Sequence, residues 1–212
     1  MKFDPRKYHR HSIRLKDYDY SQAGAYYVTI DVQNCECLFG DIVNDEMILN
    51  EAGRMIDEQW NALPERFPNI ELDVYQVMPT HLHGIIVIVG ATLVVAPFHV
   101  VTPSSVVAFD MEIKNTHENG SDTGPGAGTR PAPTPNPTLG DIVGAFKSIT
   151  TNEYIKGVDD HNWPRFYKRL WQRNYYEHVI RNEADLCRIR GYIQSNPSNW
   201  DKDEDNPKFI KL

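Results

Sequence analysis

Hydrophobic and polar residues alternate with a period of two in several stretches of the first ninety residues, which is the spacing of half-buried β-strands. The stretch 24–40 (GAYYVTIDVQNCECLFG) is rich in β-branched and aromatic residues and predicts a strand that ends in a turn. Residues 41–50 predict a hairpin with an Asn-Asp turn. Residues 69–79 predict another strand, and the apolar run LHGIIVIV at 82–89 predicts a buried strand that could pair with it.

Three further stretches place apolar residues three and four positions apart, which predicts amphipathic helices. The first begins at Asn50, a good N-cap residue, and ends near Pro64 to Pro68. The second covers 138–158 and the third 183–196, while 166–180 between them predicts a strand or bent strand. The order is therefore β-β-α-β-β, an insertion, and α-β-α.

The segment 91–137 interrupts this order, and its second half is rich in Gly, Pro, Ser and Thr. Such a composition buries too little apolar surface to fold and predicts a long, disordered insertion. We therefore predict one domain over 1–212, with a basic N-terminal arm at 1–20. Its class is α+β, an antiparallel sheet with helices packed on one face.

The charge balance limits the partners that the chain can have. Its 212 residues carry a formal net charge of -7, which argues against a protein that coats duplex DNA through bulk electrostatics. Basic residues cluster locally, however, in the first sixteen positions and at 165–173, so nucleic acid could be held at a local surface.

Cysteine usage and hydropathy bear on the compartment. Three cysteines without metal-site spacing leave no complete disulfide set, which favours a reduced cytoplasm. Neither a signal-peptide core nor a run of about 18 apolar residues occurs, so we expect a soluble cytoplasmic protein without a membrane partner.

His81 and His83 lie two positions apart at the start of the buried strand. Residues i and i+2 of a strand share a face, so both imidazoles can bind one divalent cation while Leu82 points into the core. An incidental pair of histidines is the plain alternative.

The last predicted helix carries a second polar group. Arg188, Tyr192 and Asn196 are spaced by four and therefore share one helical face. The Asn196 amide oxygen could complete a metal site with the histidines, and a metal that polarises a phosphodiester would make Tyr192 a plausible nucleophile. Alternatively, Tyr192 packs like an ordinary helix residue and Asn196 caps the helix before Pro197.

Taken together, MPTHLHGIIVIV, LGDIVGAFKSITTNEYI and WQRNYYEHVIRNEADLCRIRGYIQSNPSNW resemble the REP-associated tyrosine transposases, which are single-tyrosine transposases with a histidine-hydrophobe-histidine motif. The resemblance spans nearly the whole chain outside 91–137. It implies a ferredoxin-like sheet and Mg²⁺- or Mn²⁺-dependent cleavage of single-stranded DNA at a REP-like hairpin. A transient 5′-phosphotyrosine would form, and a 3′-hydroxyl would remain to rejoin strands. We expect this chain to be a monomer or a homodimer.

By position, the resemblance implies that His81, His83 and Asn196 bind the metal and that Tyr192 is the nucleophile. The cations that we expect to contact DNA, near the helix, the 165–173 cluster and the arm, are Arg188, Lys147, Arg169, Arg173, Arg10 and Arg14.

Alternatives remain for the nucleophile and for the function. Tyr175 and Tyr176 compete with Tyr192, although core packing or base stacking suits them better. The rival functions are a hairpin-binding protein that cuts little or not at all, a metal-dependent phosphoesterase without a covalent intermediate, and a scaffold whose histidines have no function.

Overall fold

The structure is a computed structural model, and it describes residues 14–15, 17–90, 137–203 and 205–209. Predictions for the rest of the arm, including Arg10, and for positions 91–136 of the insertion lie outside these residues. The strands are β1 (Gly24–Asp31), β2 (Gly40–Val43), β3 (Glu46–Leu49), β4 (Ile70–Val77), β5 (His81–Ile88) and β6 (Tyr176–Ile180). The helices are α1 (Glu51–Asn61), α2 (Leu63–Arg66), α3 (Leu139–His161) and α4 (Glu183–Ser195).

Four strands form the main sheet in the order β4-β5-β1-β6, and every neighbouring pair is antiparallel. With α1 before β4 and α3 before β6, the chain follows a βαββαβ path. The predicted α+β class and ferredoxin-like sheet are confirmed. β2 and β3 form a separate hairpin whose turn residues, Asn44 and Asp45, adopt the left-handed conformation that such turns require.

One face of the sheet packs against α1 and α3. Alternate residues of β5 point to this face, where Leu82 and Ile86 join Trp60 of α1 and Phe146 of α3 in the main core. Gly84 lies between them because the Trp60 ring covers the strand there. A Cβ at position 84 would lie 2.3 Å from the Trp60 Cζ2 atom. The core thus holds β5 rigidly from one side.

The opposite face is covered by α4, which differs from the expectation that all helices lie on one face. Ile189 and Ile193 of α4 pack against Tyr27, Ile85 and Ile180 of the sheet in a second, smaller cluster. The helix spans nearly the predicted residues, but its apolar stripe packs on the face of the sheet opposite α1 and α3.

A half-buried ion pair also attaches α4 to the sheet. The Arg190 guanidinium donates to both carboxylate oxygens of Asp73 on β4, at 2.9 and 2.5 Å. Burial alone would raise the pKa of Asp73, but the hydrogen bonds from Arg190 lower it overall.

Two predicted strands are shorter than expected. The strand predicted over 24–40 ends at Asp31, because the chain turns into a short 3₁₀ helix where Asn34 and Cys35 have positive φ. In the stretch 166–180 only the last five residues form β6, and a single bridge joins Trp171 to Val32. Among the described residues, no helix is long and apolar enough to span a membrane.

Candidate metal and nucleophile site

The two histidines of β5 lie side by side on the α4 face of the sheet. The rings are fully buried, with 0% and 2% of His81 and His83 exposed, and their Nε2 atoms are 2.9 Å apart. The i, i+2 spacing places both rings on one side, as strand geometry dictates.

Hydroxyl groups lie against the Nδ1 atoms of both rings. The Thr80 hydroxyl donates to the Asp205 carbonyl at 3.2 Å and lies 3.0 Å from His81 Nδ1. His83 Nδ1 lies 2.9 Å from both the Thr29 and the Tyr27 hydroxyls, and the Thr29 hydroxyl donates to the Tyr27 oxygen. In the tautomer in which both Nδ1 atoms donate to these hydroxyls, each Nε2 presents a lone pair to the site.

Burial keeps both imidazoles neutral. It lowers the pKa of His83 to about 3, and burial together with the neighbouring His83 lowers the pKa of His81 well below its usual value. The two Nε2 atoms lie 2.9 Å apart, within hydrogen-bond distance, and both are positioned to face one cation.

An acidic residue that the sequence analysis did not select completes this group. Asp203 follows the 3₁₀ turn Pro197–Lys202, and its carboxylate lies 3.8 Å from His81 Nε2. His81, His83 and Asp203 together could hold a metal ion. Asp31 and Asp205 form a neighbouring acidic group around His81 Nδ1.

The donor set fits a divalent ion. Imidazole nitrogens bind metals at about 2.1 Å, so two of them in adjacent octahedral positions are about 3 Å apart, close to the spacing of the two Nε2 atoms. The Nδ1–H groups already bond to threonine hydroxyls, as the outer partners of metal-binding histidines usually do. The Asp203 carboxylate would add the negative oxygen that hard ions prefer.

Tyr192 lies on the α4 face that looks onto the histidines. Its ring centroid is 5.3 Å from that of His83 and 6.3 Å from that of Tyr27, and the residue is 49% exposed. Burial of one side raises the pKa of Tyr192, while hydrogen bonds from Asn196 and Tyr27 partly offset that rise. The phenol is thus open to solvent on one side and held by polar groups on the other.

Asn196 lies one turn further along, where α4 ends. It is 3% exposed, and its amide lies beside the Tyr192 hydroxyl. Its side-chain oxygen is buried without a hydrogen-bond donor in the described part of the chain. Such an oxygen is costly to leave unpaired, so it is available to a ligand.

The electrostatics around Asp31 couple the site to α3. Burial, followed by the charge of Asp205, raises the pKa of Asp31 to about 6. Burial lowers the pKa of Lys147 to about 8 although Asp31 opposes that shift. The Lys147 ammonium donates to the carbonyls of Gln172 and Asn174 at 3.0 and 2.7 Å, so it ties α3 to the segment before β6.

The other predicted DNA contacts are dispersed. Arg188 is bonded to Asp185 at 2.5 Å on the exposed side of α4. Arg14 donates to the Tyr175 hydroxyl at 2.8 Å and packs over that ring. Arg169 and Arg173 lie at the surface in the segment before β6.

The competing tyrosines occupy different environments. Tyr175 is buried against Arg14, away from the histidines, and points to the α3 face. Tyr176 is 52% exposed and its ring centroid lies 6.0 Å from that of Tyr27. Of the three, Tyr192 is the one whose ring contacts a histidine of the pair.

The chain has a relative of similar length in Haemophilus influenzae. The chain is 35% identical over 203 residues to an uncharacterized protein of Haemophilus influenzae (strain Rd), and the match covers 96% of both chains. No protein-family model matches the chain.

Two solved structures are similar at low identity. One is a REP-associated tyrosine transposase bound to a REP hairpin, with a TM-score of 0.48 and 15% identity over 88% of this chain and 73% of that one. The other is a Deinococcus radiodurans protein provisionally described as a transposase, with a TM-score of 0.43 and 13% identity over 85% and 95% of the chains. TM-scores below 0.5 carry no inference about function.

Proposed function

We propose that this chain, which belongs to one family with the Haemophilus influenzae protein, is a metal-dependent enzyme that nicks and rejoins single-stranded DNA at hairpins through a covalent 5′-phosphotyrosine. The observation that carries the proposal is the pair of buried Nε2 atoms 2.9 Å apart, with the Tyr192 ring centroid 5.3 Å from that of His83. The motif resemblance supplies the substrate class.

His81, His83 and Asp203 would hold the ion, for which we propose Mg²⁺ or Mn²⁺. Asn196 remains the proposed further oxygen ligand, because its buried oxygen lacks a donor. When bound, the ion supplies Lewis-acid polarisation of the phosphodiester.

Tyr192 would attack the phosphorus atom of the strand. A bond forms between the phenol oxygen and phosphorus, and the bond from phosphorus to the 3′ oxygen breaks. The phenol proton passes to water and the departing 3′ oxygen takes up a proton, so a 3′-hydroxyl results. Attack of a 3′-hydroxyl on the phosphotyrosine reverses the bonds, rejoins the strand and frees Tyr192.

The surrounding polar groups would orient the reacting side chains. The hydroxyls of Thr80 and Thr29 bond to the Nδ1 atoms and would hold the rings with both Nε2 atoms toward the site. The Tyr27 ring packs against both His83 and Tyr192, and its hydroxyl is 2.9 Å from His83 Nδ1. Asn196 and Tyr27 together hold the phenol of Tyr192. Rigid placement of this kind lowers the entropic cost of reaching the transition state.

Hairpin-bearing single-stranded DNA incubated with the protein and Mn²⁺ tests the proposal. We expect a denaturant-resistant protein–DNA adduct with wild type and none with Tyr192→Phe, which keeps the ring but loses the nucleophile. Tyr176→Phe is the matched control and should still form the adduct, because its ring makes no contact with either histidine among the ring contacts described.

The outcomes separate the rival functions. Cleavage without an adduct, unchanged in Tyr192→Phe, would favour a phosphoesterase that uses water. Tight hairpin binding without cleavage at any metal concentration would favour a protein that only binds. An adduct that persists in Tyr192→Phe but is lost in Tyr176→Phe would move the nucleophile to β6.

A further inference from the structure

A cleft of about 420 Å³ lies between α3 and residues 166–172, outside the histidine site. Its floor is apolar and consists of Phe166, Leu170 and Trp171. Leu170 and Trp171 are buried by the main core, so the floor is fixed rather than formed by loose surface side chains. A volume of this size lies within the range of small-ligand sites.

One wall of the cleft is the outer side of α3. Ser148, Thr151 and Asn152 contribute short polar side chains there, and Ile155 adds an apolar one. Ser148 and Asn152 are exposed and spaced by four, so they form one polar stripe along the cleft. Hydroxyl and amide groups in this position can donate and accept hydrogen bonds with the edge of a nucleobase.

The opposite rim is basic. Lys168 and Arg169 line it, and among the described residues no aspartate or glutamate lines the cleft, although the whole chain carries a net charge of -7. Within the described residues the Arg169 guanidinium forms no ion pair, and Lys168 lies 4.6 Å over the exposed ring of Tyr167. Lys168 has a φ of 61°, a left-handed conformation that lysine rarely adopts.

The cleft adjoins the histidine site at one residue. The backbone N–H of Gln172 donates to the backbone carbonyl of Asp31 at 2.8 Å, and Gln172 also lines the cleft. Asp31 is paired in register with His81 across the sheet. The cleft and the histidine site therefore both border this end of β1.

We infer that the cleft binds one nucleotide of single-stranded DNA that flanks the cleaved phosphate, with its base on the apolar floor and its phosphates on Lys168 and Arg169. The inference rests on the proposed function for the identity of the strand. An apolar floor, an amide-bearing wall and an acid-free rim together match the three parts of a nucleotide: base, base edge and phosphate. An inorganic anion would contact only the basic rim, and an apolar peptide would not need the basic rim.

Fluorescence anisotropy with a labelled, unstructured oligodeoxynucleotide in EDTA measures this binding without metal or cleavage. Each single-strand phosphate contact contributes about 0.7 to the salt slope, so Lys168→Ala with Arg169→Ala should lower the slope by about 1.4. Ser148→Phe should fill the cleft, remove base stacking and weaken binding by at least about fivefold, with the salt slope unchanged. Lys156→Ala is the matched control, because Lys156 lies on α3 but pairs with Glu153 outside the cleft.

The results separate this inference from the proposed function. Loss of affinity in the rim and cleft variants, but not in Lys156→Ala, supports the cleft even if no Tyr192 adduct forms. Unchanged affinity and salt slope in both variants overturn it even if the adduct forms normally. A wild type that binds no single strand also overturns it. Thermal unfolding of each variant excludes loss of folding, since all four substituted positions are at the surface.

Discussion

The two faces of strand β5 carry out different tasks within one eight-residue segment. Leu82 and Ile86 point to α1 and α3, where they are buried among apolar side chains. His81 and His83 point to α4, where their neighbours are hydroxyls, carboxylates and the Tyr192 ring. The apolar face can hold the strand rigidly, so the polar face can keep two imidazoles in position to share one cation.

The core face should show the largest effect on stability. Leu82→Ala removes a fully buried side chain and should lower the free energy of unfolding by about 2–5 kcal/mol. Urea unfolding in EDTA measures the change. His83→Ala under the same conditions should cost less, because the polar groups around His83 can be solvated by water that enters the space of the ring. Equal losses in the two variants would show that the faces do not differ in this way.

The polar face should show the largest effect on metal affinity. His83→Ala removes a proposed ligand, and we expect the affinity for Mn²⁺ to fall by more than about 100-fold, beyond the loss typical of outer-shell changes. Titration calorimetry with Mn²⁺ measures it. His178→Ala is the control, since His178 pairs with Asp185 outside the cluster. An Mn²⁺ affinity that His83→Ala leaves intact would rule out a metal site on this face.

The hydroxyls behind the rings should have a smaller effect. Thr29→Val keeps the shape of the side chain but removes the acceptor for His83 Nδ1–H, so the ring can rotate or change tautomer. We expect Mn²⁺ affinity to fall by about 10- to 100-fold. Thr151→Val should have no effect, because that hydroxyl donates to the Lys147 carbonyl within α3. A loss in both variants would point to general destabilisation.

Apolar residues spaced by two predicted the strands, and those spaced by three and four predicted the helices, because these spacings show which side of an element is buried. The same rule predicted that His81 and His83 share a face. It could not predict which helix covers that face: the stripe of Ile189 and Ile193 has the same period whether α4 lies beside α1 or across the sheet. The position of α4 follows from tertiary packing.

Asp203 was missed for a related reason. It lies in an acidic tail without periodicity, where a solvated run and a buried ligand look alike in sequence. The structure brings it to His81 through the short turn after Asn196. Lys147 shows the reverse case, since its ammonium is largely taken up by the carbonyls of Gln172 and Asn174. The one available signal for Asp203 was its place a few residues after the last predicted helix.

The smallest effect concerns the attachment of α4 to the polar face. The pKa of Asp73 is lowered from 3.8, so its pair with Arg190 stabilises the fold above that pH and loses its effect as the pH falls through the folded-state value. Asp73→Asn should therefore cost about 1 kcal/mol at pH 7, with the difference from wild type shrinking below pH 3.8. Urea unfolding at pH 7 and below pH 3.8 measures this difference. Asp201→Asn, in an exposed pair with Lys208, should change stability by less.

Amide hydrogen exchange then shows where Asp73→Asn acts. We expect faster exchange in α4, with exchange in α1 and α3 unchanged, if the two faces of the sheet are held independently. Equal acceleration in all three helices would mean that they open as one unit.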